Sequence, residues 1–425
     1  MTSQRKATCS SRNRREGNVT ASAPWCRFRL VKRRRRPPPA DPALLEIFAA
    51  ANAMTASGQE PRKHHVVPRF YLDRWAEDGR VCVTDLDAHK SHETDPKNAL
   101  IENDFYRVPA GTALGSDSPV VWEAWLSKVE GNAASVFDKL DRDGFVALDD
   151  EDLSRLAFFV AVQTTRSRWH RFQGRWMASV GIYRAMELDR PGAVETQLRA
   201  LGEDPTPEHV AEVEAYWAKV LADPWQMNLS ASFEMDTAQR AAGDLADLLV
   251  KRRWAVYESD KALITCDEPV VSLWEHMGAD HIRDGGYFGT PIIVFPLGPH
   301  QILAMFRDNM PVLHNPETPL DWRASLDLNQ TIAGNAFRNI VSQPSNRAAP
   351  KLYVPDSKEP TQLQNAGKNG NQELVRWRVM RRWSDEHDAP QRPVRSWWPP
   401  IVPPAPSPPR TREEWADERR RWDAR

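Results

Sequence analysis

"PVVWEAWLSKVEGNAASVFDKLD", residues 119–141, carries Trp122, Leu126, Val129, Ala133, Val136 and Leu140 at spacings of three, four and seven. That spacing lays them along one stripe of an α-helix, because side chains three and four apart share a face. The next run, "DDEDLSRLAFFVAVQTTRSRWHRFQGRW" (149–176), puts acidic residues in its first turn and basic ones in its last. The helix macrodipole favours that order, so the run reads as one continuous helix. Further helix is expected at 206–222 and 227–250.

On the N-terminal side, "KHHVVPRFYLDRWA" (63–76) predicts a short helix entered through Pro68, with Tyr71, Leu72 and Trp75 inward. "GRVCVTDLD" (79–87) alternates like a strand, and "NDFYRVP" (103–109) reads as a second extended piece. On the C-terminal side, "RRWAVYES", "ALITCDEPVVSLW", "PIIVFPL" and "QILAMF" are short β-rich runs between turn residues. The stretch "SLDLNQTIAGNAFRNIVSQ" (325–343) is expected to close the body as a helix. The predicted class is α+β: a helix-dominated body with a small antiparallel sheet.

Four regions follow from composition. Residues 1–53 form a basic leader without periodicity, expected to be disordered, with Met54 as an alternative start of translation. Residues 54–350 form one globular domain. Residues 351–410 are an irregular linker that includes the proline-rich "WWPPIVPPAPSPPR". Residues 411–425 form a short helix, with a capping pair Thr411/Glu414 and Trp415 and Trp422 on one face.

The chain has 425 residues, 41% hydrophobic and 27% charged, which suits a sizeable core. Residues 1–40 hold twelve Lys and Arg against Glu16, a net +11, so the overall charge of −1 leaves −12 for the rest. A body that acidic does not attract nucleic acid without a local basic cleft. No apolar run approaches the ~20 residues of a membrane helix. The four cysteines show no C-x-x-C pair or zinc spacing and are expected as free thiols in a reducing cytoplasm. Gly-rich phosphate loops, H-E-x-x-H and G-x-S-x-G are absent from the sequence.

Seven segments occur together in one order: "HHVVPRFYLDRW", "KNALIENDFY", "EAWLSKVEGNAASVFDKL", "LAFFVAVQTTRSRWHRF", "ALITCDEPVV", "VFPLGPHQILAM" and "LNQTIAGNAFRNIVSQ". In this the chain resembles an uncharacterised bacterial family, DUF4238, over roughly residues 62–345. The resemblance brings no activity. It does imply a set of recurring residues: His64, His65, Pro68, Tyr71, Asn98, Tyr106, Glu123, Glu130, Gln163, Arg166, Asp267, Pro269, Pro296 and Asn329. The family usually has Ser where Cys266 stands, which argues against an essential nucleophilic hydroxyl there.

His64 and His65 are the sharpest chemical signal. One imidazole can hold a divalent metal while its neighbour deprotonates water, or both can hydrogen-bond buried backbone near Pro68. A His-Asn-His nuclease reading would use Asn98 to orient His65, but that spacing is long and no histidine follows Asn98 suitably. His89 and His92, with Asp85 or Asp87, are alternative ligands.

Gln163, Arg166 and His170 share a helical strip. Arg166 is either a clamp for a phosphate or carboxylate or a buried partner of Glu123 or Glu130. Asp267 at a strand's end suits a metal or substrate contact, or a turn. Asn329 suits packing or capping as well as function.

The expected function is a metal-assisted hydrolase, of phosphodiesterase or nuclease type. His65 would be the base, Asn98 its orienter, Arg166 the anion clamp, and His64 with Asp267 the anchors of a divalent metal or of the substrate. The alternative is a non-catalytic binding module.

Overall fold

The computed structural model describes residues 42–58, 60–108, 118–273, 290–307, 316–352 and 354, and the backbone of 362–365 and 374–377. The first helix, α1 (Pro42–Ala56), runs through the expected boundary at 53/54. Ile47 and Ala51 are buried in the main core, and Ser118 Oγ donates to the Ala51 carbonyl at 3.1 Å. Residues 42–53 therefore belong to the fold rather than to the leader. The proline stop and the basic run before them place the apparent boundary in sequence later than the helix begins. The rest of the leader, the C-terminal helix and most of the linker lie outside the described residues. Within the linker, β11 (Gln362–Asn365) and β12 (Leu374–Trp377) pair antiparallel, which corrects its reading as wholly irregular.

The class is α+β, with helices dominating and antiparallel sheets. After β1 (Lys63–His65) come α2 (Arg69–Leu72), β2 (Val81–Asp85), β3 (Lys90–Thr94) and β4 (Ile101–Asn103). Of the extended piece expected at 103–109, Asn103 ends β4 and residues 104–106 form a turn, while 109 lies outside the described residues. The helical middle comprises α3 (Val121–Asp143), α4 (Asp150–Thr165), α5 (Arg168–Ala185), α6 (Ala193–Ala200), α7 (Pro207–Ala222) and α8 (Ala231–Val250).

The run 149–176 is two helices, not one. Asp149 and Asp152 form a reciprocal capping box that starts α4. Ser167, in extended conformation, then accepts the His170 N–H at 3.1 Å and starts α5. A serine that satisfies an orphan N–H this way competes with helix continuation. The break places Arg166 at a corner between helices.

The late strands are β5 (Arg253–Glu258), β6 (Thr265–Cys266), β7 (Val271–Leu273), β8 (Ile292–Gly298) and β9 (Gln301–Phe306). One sheet has the order β5-β9-β8-β7. Both its faces are covered: Ile293, Phe295, Leu297, Leu303 and Met305 join the helical core, while Ile292, Val294, Ile302, Ala304 and Phe306 join a second cluster. Strand period two produces that division. Leu328 and Ile332 of α9 (Trp322–Asn335) cover the second face.

The predicted closing helix ends early, and its tail becomes strand β10 (Asn339–Ser342), in a sheet ordered β3-β2-β10-β6. The Asp267 carboxylate supplies the reason. It accepts the backbone N–H groups of Phe337, Arg338 and Asn339 at 2.8, 2.8 and 2.9 Å, which draws the chain out of the helix. Among the described residues no helix is long and apolar enough to cross a membrane.

Candidate functional site

His64 and His65 lie on β1, paired antiparallel with β4. Neighbouring side chains on a strand point to opposite faces, so the two imidazoles diverge and do not share a ligand. His64 is buried with both nitrogens engaged: Nδ1 accepts the Tyr106 N–H at 2.9 Å, and Nε2 donates to the Pro61 carbonyl at 3.1 Å. Burial, above all, lowers its pKa. A metal at His64 would require breaking one of those backbone bonds, so the expected metal anchor is a structural histidine.

His65 turns the other way. Burial depresses its pKa most strongly, partly offset by the Glu130 carboxylate and by hydrogen bonding to the backbone of Pro96 and Lys97. Nε2 is buried with no hydrogen-bond partner. The ring therefore presents a buried nitrogen without a protein partner. The Asn98 side chain is exposed, and no hydrogen bond joins it to His65.

Other expected site residues also serve the scaffold. Asp267, whose pKa burial raises, spends both carboxylate oxygens on the start of β10 and does not meet His64. Asn329 clamps the segment leading into β6, accepting the Ile264 N–H at 2.8 Å and donating to the Ala262 carbonyl at 3.0 Å. The Tyr71 hydroxyl donates to the Pro296 carbonyl at 2.8 Å and lies 2.9 Å from Thr265 Oγ1, pinning α2 to β8 and β6. Asp85 accepts the N–H groups of Asp87 and Ala88 in the β2–β3 turn and pairs with Arg338. Among the described residues no group of three or more His, Cys, Asp or Glu side chains is placed to hold a metal ion. The donors expected to form that site are already committed, so they do not fit a metal. Burial also pushes the Cys266 thiol well above its ordinary range, in keeping with an inert sulfur.

Five predicted residues do converge. Glu123 and Glu130, two turns apart, project from one face of α3. Gln163 lies in the last turn of α4 and Arg166 caps it, with the guanidinium 2% exposed. Arg166 Nη1 donates to Glu130 Oε1 at 2.7 Å. His65 is within electrostatic reach of both Arg166 and Glu130, and Tyr106 of Arg166, Glu123 and Glu130. His170 is carried away onto α5, where burial drives its pKa down to about 4.

The cluster is polar, buried and incompletely paired. Arg166 Nε and Nη2, both amide atoms of Gln163, His65 Nε2 and Thr165 Oγ1 have no hydrogen-bond partner. Buried polar atoms are paired in the great majority of native proteins, so such a concentration demands an explanation. Nε and Nη2 form the edge of a guanidinium that grips a carboxylate or phosphate through two parallel hydrogen bonds. Burial acts to discharge Arg166, but Tyr106 and Glu130 outweigh it and the pKa stays above the ordinary value.

Glu123 is different again. Burial first, and the neighbouring Glu130 carboxylate second, push its pKa up to about 7 against the opposing pull of Arg166. Sequence reasoning found these residues but missed Tyr106 and Thr165 as members of the cluster. Tyr106 was visible only as a motif residue, and Thr165 carried no signal beyond its place beside Arg166.

A separate depression lined by Gly58, Glu60, Arg62, Asp104 and Arg107 has its charges spent in the pairs Arg62–Asp104 and Arg107–Glu60, each at 2.5 Å. No curated protein and no solved structure matches the chain. The family model described as "Protein of unknown function (DUF4238)" matches residues 63–346, more than half of the sequence, and the chain belongs to that family.

Proposed function

We propose that the Arg166 cluster binds a small ligand bearing an oxyanion, a phosphate ester or a carboxylate, and that the protein hydrolyses an ester of that class. The observation that carries the reading is the unpaired Nε–Nη2 edge of a buried arginine, beside a glutamine whose amide is also unpaired. An anion there would restore two charge-assisted hydrogen bonds, and Gln163 would add a third donor.

His65 is the proton acceptor in this scheme. Water adds its oxygen to the ester centre while its proton passes to Nε2. The ester bond breaks, and the imidazolium returns that proton to the departing alcohol. His64, Asp267 and Asn98 take no part, because their polar atoms hold the backbone or face solvent. The free thiols Cys82 and Cys266 agree with a reducing compartment.

The test is turnover of bis(p-nitrophenyl) phosphate, p-nitrophenyl phosphate and p-nitrophenyl acetate by the full chain and by His65→Ala. Removing a general base typically lowers rate by ~10²–10⁴, so the variant should lose turnover while melting within about 2 °C of the parent, the response of a small stability change. Turnover equal in both proteins refutes the role of His65. Phosphate binding without turnover of any ester leaves a binding module.

A further inference from the structure

The two carboxylates of α3 are not equivalent. Glu130 is bonded to Arg166 Nη1 at 2.7 Å and lies partly in solvent, whereas no hydrogen bond or ion pair engages the Glu123 carboxyl among the described residues. Glu123 shares the helix face of Glu130, two turns away, and lies within electrostatic reach of the same guanidinium, whose free edge must receive any incoming anion. With Glu130 ionised, that guanidinium is already neutralised. A bound anion would then stand as an uncompensated negative charge beside a second carboxylate, in a site with little water to screen it. One neutral carboxyl removes the conflict, and a protonated carboxyl also offers a donor to the anion.

We infer that anion binding at Arg166 is coupled to the uptake of one proton by the site, and that Glu123 is the group that takes it. This rests on the oxyanion reading above and specifies how that site is regulated. The groups facing Glu123 favour the assignment. Glu130 on its own helix repels its charge, and Arg166 at the end of α4 attracts it. Tyr106 after β4 is held protonated, with its pKa raised by burial to about 12, so it neither supplies nor takes the proton near neutrality. His65 on β1 is held neutral chiefly by burial. On the α1 side, Glu46 pairs with Lys128 at 3.5 Å. Glu123 itself titrates at about 7, inside the working range of most proteins.

The experiment is calorimetric titration of the full chain with sulfate, an oxyanion that does not titrate between pH 6 and 8.5. Each pH is run in two buffers of different ionisation enthalpy, and the difference in heat gives protons exchanged per anion bound. At pH 8 the parent should take up about one proton, falling towards zero at pH 6, and its affinity should weaken about tenfold per pH unit above 7. Glu123→Gln, which fixes a neutral side chain, should still bind sulfate but exchange no protons and lose the pH dependence. Sulfate binding without proton uptake in the parent, or uptake that persists in Glu123→Gln, overturns the coupling alone. Absence of sulfate binding at every pH overturns the oxyanion site and the coupling with it.

Discussion

Replacing Arg166 with methionine asks whether the guanidinium serves the fold or a ligand. Arg166 is 2% exposed, with two nitrogens unpaired and one bonded to Glu130. Each unpaired buried donor costs roughly 1–3 kcal/mol, so the substitution relieves about 2–6 kcal/mol. Against that stands the loss of one ion pair whose acid, Glu130, is 28% exposed and can turn to water. Buried ion pairs replaced by apolar side chains of similar volume are often neutral or stabilising, by about 1–4 kcal/mol. Arg166→Met should therefore leave stability unchanged or raise it by up to about 4 kcal/mol.

Glu130→Gln does the reverse. It strands a buried charge, which costs about 3–5 kcal/mol for a sealed pair and nearer the lower figure where water reaches. At about 2 °C per kcal/mol for a body of this size, the two variants should separate by at least 6 °C in a thermal melt followed by circular dichroism. Urea titration gives the free energies directly. If Arg166→Met destabilises by more than about 2 kcal/mol, the free edge is satisfied in solution by the protein itself or by fixed water, and the guanidinium is a structural post.

The two histidines should part company. His64→Ala removes two bonds to buried backbone and should cost about 2–4 kcal/mol in urea titration, whereas His65→Ala should cost less than 1 kcal/mol. Equal losses would contradict their assignment to opposite faces. A chain beginning at Met54 lacks the buried Ile47 and Ala51 and should be about 2–4 kcal/mol less stable; equal melting temperatures would show that α1 contributes nothing.

Glu123 also predicts a pH profile. Its pKa is raised in the folded chain to about 7 from an ordinary 4.5, so between those values the folded state holds more protons than the unfolded state. Its contribution is present below pH 4.5 and is lost as pH rises to about 7. The size is on the order of 3 kcal/mol at most. Glu123→Gln should flatten that slope relative to the parent, and an unchanged slope would refute the raised pKa.

Much of this was legible in sequence because helix stripes and strand alternation are written in spacing alone. Trp122, Leu126, Val129, Ala133, Val136 and Leu140 are all buried on α3, and the β-rich runs after 252 supply all four strands of the doubly covered sheet as well as β6 of its neighbour. Where the reading failed, a distant polar group decided the local conformation. The chain from Ala336 onwards fits a helix by composition, yet Asp267 takes its N–H groups and makes it a strand.

The same limit applies to the site. Asp267, Asn329 and His64 are residue types that catalyse, but they are equally the types that satisfy buried backbone, and no spacing distinguishes the two uses. Arg166, Gln163 and His65 stood out in sequence for their chemistry. Glu130 was legible as a partner of Arg166 from its place on the preceding helix, and the pair forms, but the unpaired atoms that single out the cluster depend on α3 meeting the corner between α4 and α5.

The most direct measurement is equilibrium dialysis of the purified full chain against radiolabelled inorganic phosphate, beside Arg166→Met. The parent should hold about one phosphate per chain, and the folded variant none. Equal retention by both proteins, or none by the parent at millimolar phosphate, would contradict the claim that this buried arginine presents its open edge to an anion.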